Sequence, residues 1–225
     1  NISTIEDPIE YRIPRVNQTQ VKPEIGFSFP QGLRTLVRQD PDIIMVGEIR
    51  DDETAALAIN ASLTGHLVIS TLHTNSAAGA IPRLIDMKVE PFLISSTLTA
   101  IVGQRLVRCL SPDSRTKYNL TKKEIEALSK EIDLDKVLKT LKNEKIIEPK
   151  DTWESINFYR PKETESSPNG YKGRVGIFEV LDITPKIKEL IVASATSDDI
   201  QKVAEEEGIT TMLEDGFIKA VQGIT

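Results

Sequence analysis

The residues best suited to chemistry lie in Pro41-Asp42-Ile43-Ile44-Met45-Val46-Gly47-Glu48-Ile49-Arg50-Asp51. Ile43 to Val46 are four consecutive apolar residues, the mark of a strand buried on both faces of a parallel sheet. Glu48 follows one glycine later, where such a strand surfaces. Ligands of open α/β sheets bind at that edge, and a carboxylate there can orient and partly deprotonate a water attacking a phosphoryl group. The alternative is a strand-end acid that only pairs with Arg50. Two other clusters have the same placement. Glu6, Asp7 and Glu10 end the apolar stretch Ile2 to Ile5, and His66 and His73, the chain's two histidines, flank Leu67 to Thr71. Parallel strands bring such ends together, so the acids and imidazoles are expected on one common edge. Each histidine could instead be a hydrogen-bonded structural residue. A dinuclear metal site is a competing use of the set, but no HxH or HExxH spacing occurs.

The elements that must position these groups follow from the pattern around them. Arg12 to Val21 alternates and is expected as exposed extended chain. Ser28 with Gln31 reads as a capping box opening a helix that carries Leu33, Leu36 and Val37 and ends before Pro41. Asp51-Asp52-Glu53 make an acidic first turn, favourable at a helix N-terminus. The helix they open is almost wholly apolar from Ala55 to Leu63 and is expected to be buried, with Gly65 as its stop. Leu67 to Thr71 is expected as the next core strand. Ser76 could cap a helix with Ile81, Leu84 and Ile85, and Pro91 starts another that should reach Val102 and end at Gly103. Short apolar strands alternating with helices give an α/β fold with a parallel sheet.

Beyond Cys109 the character changes. Residues 111–150 are rich in Lys and Glu, with a capping box at Thr121 and Glu124 and sparse apolar anchors at Leu128, Val137, Leu138 and Leu141. Residues 161–170 are polar and expected as a loop. Gly173 to Leu181 is expected as a strand, followed by three short helices opened by Thr184-Pro185, Ser197 and Thr211, the last with Glu214 as capping-box partner. The 225 residues, 28% charged and 39% hydrophobic, suit one large domain or a medium and a small one. The net charge of −6 argues against a nonspecific nucleic-acid binder. No apolar run approaches the roughly 20 residues that cross a bilayer. Cys109, the single cysteine, allows neither an internal disulfide nor a Cys-based zinc site.

Several stretches together resemble the ATPases that power type II secretion and type IV pili, the GspE/PilB group. Ile5-Glu6-Asp7-Pro8-Ile9-Glu10 resembles their Asp box. Leu33-Arg34 through Arg38-Gln39-Asp40-Pro41-Asp42 and on to Gly47-Glu48-Ile49-Arg50-Asp51 resembles their Walker B region. Thr64-Gly65-His66-Leu67-Val68 through Ser70-Thr71-Leu72-His73-Thr74-Asn75 resembles their His box. Gln104-Arg105-Leu106-Val107-Arg108 and Gly170-Tyr171-Lys172-Gly173-Arg174 through Gly176-Ile177-Phe178-Glu179 are also similar to family motifs. The likeness covers roughly residues 1–108 and 170–225. It implies a RecA-like P-loop NTPase core over residues 1–108, an insertion subdomain over 109–170, and a C-terminal strand with a helical subdomain over 171–225.

The resemblance further implies a homo-hexameric motor that hydrolyses ATP with Mg²⁺. It would be cytoplasmic, peripheral to the inner membrane and engaged with a platform protein, and would couple turnover to pilin or pseudopilin assembly. Glu48 would activate the attacking water. Glu6, Asp7 and Glu10 would position magnesium and its waters, while His66, His73 and Arg50 would serve as sensor and interface residues. The chain departs from the family twice. It holds no G-x-x-x-x-G-K-[ST] phosphate loop, so the core is expected to be truncated at its N-terminus, Asn1 falling just after the P-loop helix of a longer protein, and inactive alone. It also lacks the tetracysteine set that many assembly-type members carry near Cys109, so no zinc is expected. Two other readings stand beside this one: a degenerate, non-hydrolysing ring or interaction subunit, and a related DNA-translocating or conjugative ATPase.

Overall fold

The computed structural model describes residues 1–165 and 167–225. In chain order the strands are β1 (Ile2–Glu6), β2 (Asn17–Gln20), β3 (Ile43–Val46), β4 (Leu67–Ser70), β5 (Ala100–Leu110), β6 (Arg115–Asn119), β7 (Asn157–Pro161) and β8 (Tyr171–Asp182). The helices are α1 (Phe29–Val37), α2 (Asp52–Leu63), α3 (Ala80–Asp86), α4 (Pro91–Thr97), α5 (Lys122–Ser129), α6 (Leu134–Asn143), α7 (Pro185–Val192), α8 (Ser197–Glu206) and α9 (Met212–Val221). The chain clusters into two compact units, one of residues Asn1–Ile101 with Leu181–Ala204, the other of Val102–Val180 with Glu205–Thr225. No helix among the described residues is long and apolar enough to cross a membrane.

The first unit is built on a parallel sheet in the order β2-β1-β3-β4. Its register aligns Ser3 with Ile44 and Ile5 with Val46. These four residues are completely buried on the face that receives α1 and α2. The approach of α1 depends on Gly32, because a Cβ there would lie 1.9 Å from the Cδ1 of Ile5. Gly32→Ala is therefore expected to destabilise the unit by about 1–3 kcal/mol, since overpacking outweighs the roughly 1 kcal/mol that alanine gains in helix propensity. Urea denaturation checks this. On the other face Ile2, Ile43 and Leu67 are aligned, as are Thr4, Met45 and Ile69. Leu67 and Ile69 are more than half exposed there.

The α/β class with a parallel sheet is as expected; several local expectations are corrected. Helix α4 stops at Thr97, and Ala100 to Leu110 is strand. Val102, Gln104 and Leu106 are exposed while Ile101, Gly103 and Val107 are less so, a period of two that a helix cannot satisfy. Ser28 is the N-cap of α1 but its side chain accepts no capping bond; Pro30 removes one of the two N–H groups that such a cap uses. Helix α2 buries only one stripe, Thr54, Ala55, Ala58 and Ala61, and Leu63 is exposed. Among the described residues, β4 is an end strand of the sheet, in keeping with its exposed residues. Helix α3 begins at Ala80 behind Gly79, whose N–H donates to Ser76 Oγ.

The second unit contains a two-stranded sheet of β5 with β8 and an antiparallel ribbon of β6 with β7. Its core joins Leu134, Val137, Leu141, Trp153, Ile156 and Phe158, with Phe217 and Ile218 of α9 packed against them. The capping boxes Thr121/Glu124 and Thr211/Glu214 form as expected, because each needs only residues three apart. Within the loop expected over 161–170, Thr164 and Ser167 form an isolated bridge; Ser166 lies outside the described residues.

Candidate functional site

Strands β1 and β3 run parallel, so their carboxyl ends lie at one sheet edge and carry Glu6 and Glu48 out of the core. The peptide around Glu48 is pinned from both neighbours. Gly47 N–H donates to Ile5 C=O at 2.8 Å, Ile49 N–H to Thr71 C=O at 3.0 Å, and the Thr71 hydroxyl to Gly47 C=O at 2.6 Å. Residue 47 must be small: a Cβ there would come 3.2 Å from Ile5 O and 3.4 Å from Glu6 Cα. Gly47 thus lets the acidic turn and the Glu48 peptide touch.

Glu48 is 9% exposed, and both its carboxylate oxygens are engaged. Oε1 accepts from Arg50 Nη2 at 2.6 Å and Oε2 lies 3.1 Å from His73 Nε2. The side chains of Arg50 and His73 are themselves 67% and 81% exposed, so each can leave while Glu48 stays. The pairing with Arg50 foreseen in the structural alternative is thus present, together with the imidazole. Burial pushes the Glu48 carboxyl up, but hydrogen bonds and charge from Arg50 and then His73 outweigh it, and the net shift is downward from the ordinary 4.5. A carboxyl depressed in the folded state contributes stability above its ordinary value and loses it as pH falls through the lower, folded-state value. Urea titrations should therefore show that Arg50→Ala costs stability at neutral pH, with the difference from wild type closing on acidification below the ordinary glutamate range.

The two histidines are not brought together. His73 follows β4 at the carboxyl edge, whereas His66 precedes the strand and sits at the opposite edge. There His66 Nδ1 lies 2.9 Å from Ala61 C=O and 3.2 Å from the Thr64 hydroxyl, closing the end of α2. The expectation of one common edge holds for Glu6, Glu48 and His73 and is corrected for His66: a parallel strand has two ends, and a flanking residue can belong to either.

Among the acids, Glu6 is buried. Its Oε1 accepts from the Thr4 hydroxyl and from Gln18 Nε2 at 2.9 Å. Asp7 and Glu10 are exposed on the turn beyond it. Asp51 has a structural role as the N-cap of α2, accepting from Thr54 N at 2.7 Å, and Asp52 pairs with Lys88 at 2.9 Å. No three His, Cys, Asp or Glu side chains among the described residues converge to hold a metal. Sequence reading missed Thr71, Thr4 and Gln18. Thr4 carried a signal, since it shares a face with Glu6 at a spacing of two; Thr71 and Gln18 act through partners distant in sequence.

Comparisons with known proteins bear on the chain as a whole. The family model described as type II/IV secretion system protein matches residues 1–225. The type II secretion system protein E of Xanthomonas campestris is 45% identical over 224 residues, covering all of this chain and 36% of its own length. The type IV pilus assembly ATPase PilB of Thermus thermophilus is 46% identical over 234 residues, covering all of this chain and 23% of its own length. This chain therefore spans about a third or less of these two relatives. Among solved structures, the pilus retraction motor PilT with bound ADP matches with a TM-score of 0.64 at 28% identity, over 100% of this chain and 49% of that one. The Legionella pneumophila ATPase DotB shares the fold, with a TM-score of 0.59 at 22% identity over 99% of this chain and 48% of its own. The parallel α/β core is in keeping with the RecA-like ATPase architecture.

Proposed function

This chain belongs to the type II/IV secretion system protein family, and on that premise we propose that it carries the water-activating edge of a hexameric, ATP-hydrolysing motor. The motor would drive pilin or pseudopilin assembly from the cytoplasmic side of the inner membrane, against a platform protein. One observation carries the reading: Glu48 stands at the carboxyl end of the β3 strand line, nearly buried, with its charge held by Arg50 and His73. Hydrolysis needs a group that takes a proton from water as its oxygen attacks the γ-phosphorus and the bond to ADP breaks. Glu48 has the position and, once its partners are drawn off, a free oxygen for that proton. Arg50 and His73 are exposed and well placed to move from the carboxylate to the phosphate, and so to report nucleotide state. Magnesium, when bound, neutralises the charge on the β- and γ-phosphates. Glu6, with Asp7 and Glu10 on the turn, would hold its waters. His66, on the far edge, enters only as an interface residue at the end of α2.

Without a phosphate loop, these 225 residues alone are expected to turn over negligibly. No zinc is assigned to the second unit. A second reading has one observation in its favour, because the ion pair that occupies Glu48 is also what a non-hydrolysing ring subunit would keep. Steady-state ATP hydrolysis by the full natural chain, wild type beside Glu48→Gln, separates the two. Turnover that depends on the carboxylate supports the motor, and turnover indifferent to it overturns the assignment.

A further inference from the structure

Glu6 is fixed by a residue from a different strand. Gln18 lies in β2, in register with Thr4, so its side chain shares the face of Thr4 and Glu6. A carboxamide has two N–H donors on nitrogen and an acceptor oxygen, and both ends of this one are used. Nε2 donates to Glu6 Oε1 at 2.9 Å and to Tyr11 C=O at 2.9 Å, while Oε1 accepts from Ile13 N–H at 2.7 Å. Nearby, Ile9 N–H reaches the Gln20 side chain at 3.4 Å. The loop between β1 and β2 is thereby tied to the carboxylate at the sheet edge, and Tyr11 and Ile13 stand exposed on that loop. Thr4 and Gln18 both bond the same oxygen of Glu6, so Oε2 has no hydrogen bond among the described residues.

We propose that Gln18 is a positioning residue: it holds the Glu6 carboxylate so that Oε2 faces the water shell of the nucleotide's magnesium. Through the same amide it links that carboxylate to the 9–16 loop. The inference rests on the proposed role of Glu6. No other side chain of this length would serve. Methionine matches the length but makes none of the three bonds, and glutamate would set a second carboxylate against the first. Residues that orient a metal's partners typically change affinity or activity about 10- to 100-fold when replaced.

The test uses the full natural chain with Gln18→Met, Glu6→Gln and the double variant. Two quantities are read: the Mg²⁺ concentration for half-maximal hydrolysis at saturating ATP, and the affinity for Mn²⁺ with ADP by electron paramagnetic resonance. Gln18→Met is expected to raise the metal requirement and weaken Mn²⁺ binding by about tenfold, with kcat at saturating Mg²⁺ nearly unchanged and no further loss in the Glu6→Gln background. A purely structural role would lower kcat and stability without moving the metal dependence, and that result overturns the inference. So does wild-type metal dependence in Gln18→Met when Glu6→Gln is impaired. If Glu6→Gln itself leaves the metal requirement unchanged, the role of Glu6 fails and the inference falls with it. A readout that needs no variant is hydrogen exchange in the wild-type chain: magnesium with ADP should slow exchange at Ile13, and unchanged exchange there overturns the link to the loop.

Discussion

Replacing Glu48 by glutamine in the full natural chain is expected to lower kcat for ATP hydrolysis at least about a hundredfold, the lower end of what a positioned general base contributes. The substitution keeps shape and volume, so the pinning of Gly47 and Ile49 by Ile5 and Thr71 should survive and the fold with it. What goes is the proton acceptor and the negative charge that gathers Arg50 and His73. Those two side chains would then be free to approach the phosphates, so nucleotide affinity should hold or rise while turnover collapses. Equilibrium binding of ADP beside steady-state hydrolysis checks both halves. A glutamine variant that hydrolyses at near the wild-type rate would remove Glu48 from the chemistry.

Trp153→Ala is expected to be the most damaging single change to stability, costing about 3–5 kcal/mol. Trp153 is the chain's single tryptophan and is 8% exposed. It stacks on Phe158 at 6.3 Å between centroids and meets Phe217 edge-on at 5.6 Å. It therefore joins β7 and α9 in the second unit, and truncation leaves a hole between aromatic walls that cannot close. Among the described residues its buried Nε1 has no hydrogen-bond partner, so Trp153→Phe forfeits no polar contact and should cost less than the alanine variant. Circular dichroism during urea unfolding measures all three proteins. An alanine variant as stable as wild type would show that the second unit is held by something other than this aromatic cluster.

Much of the architecture was legible because the signals are local. The apolar run of β3, the capping boxes at Thr121 and Thr211, and the Pro-opened helices α4 and α7 depend on residues within one turn of each other. Where the reading failed, the deciding partner was remote. The start of β5, up to Gly103, reads as the tail of a helix, because what makes it a strand is pairing with β8, far along the chain. Helix α2 looked buried all round because small apolar residues do not say which side meets the sheet. At the candidate site, the acids and Glu48 were legible from their place after apolar runs, and His73 with them. The hydrogen-bond partners that orient them were not, since Gln18 and Thr71 reach their targets across strands.

Strand β4 has a practical consequence for anyone handling this polypeptide. Among the described residues it ends the sheet on one side, so in this polypeptide one row of its amide and carbonyl groups points outward, and Leu67 and Ile69 present oily side chains beside that row. Such a margin invites another chain to zip onto it. Concentration rather than temperature should then govern how long a preparation stays clear, and dilute storage with a mild detergent is the sensible default.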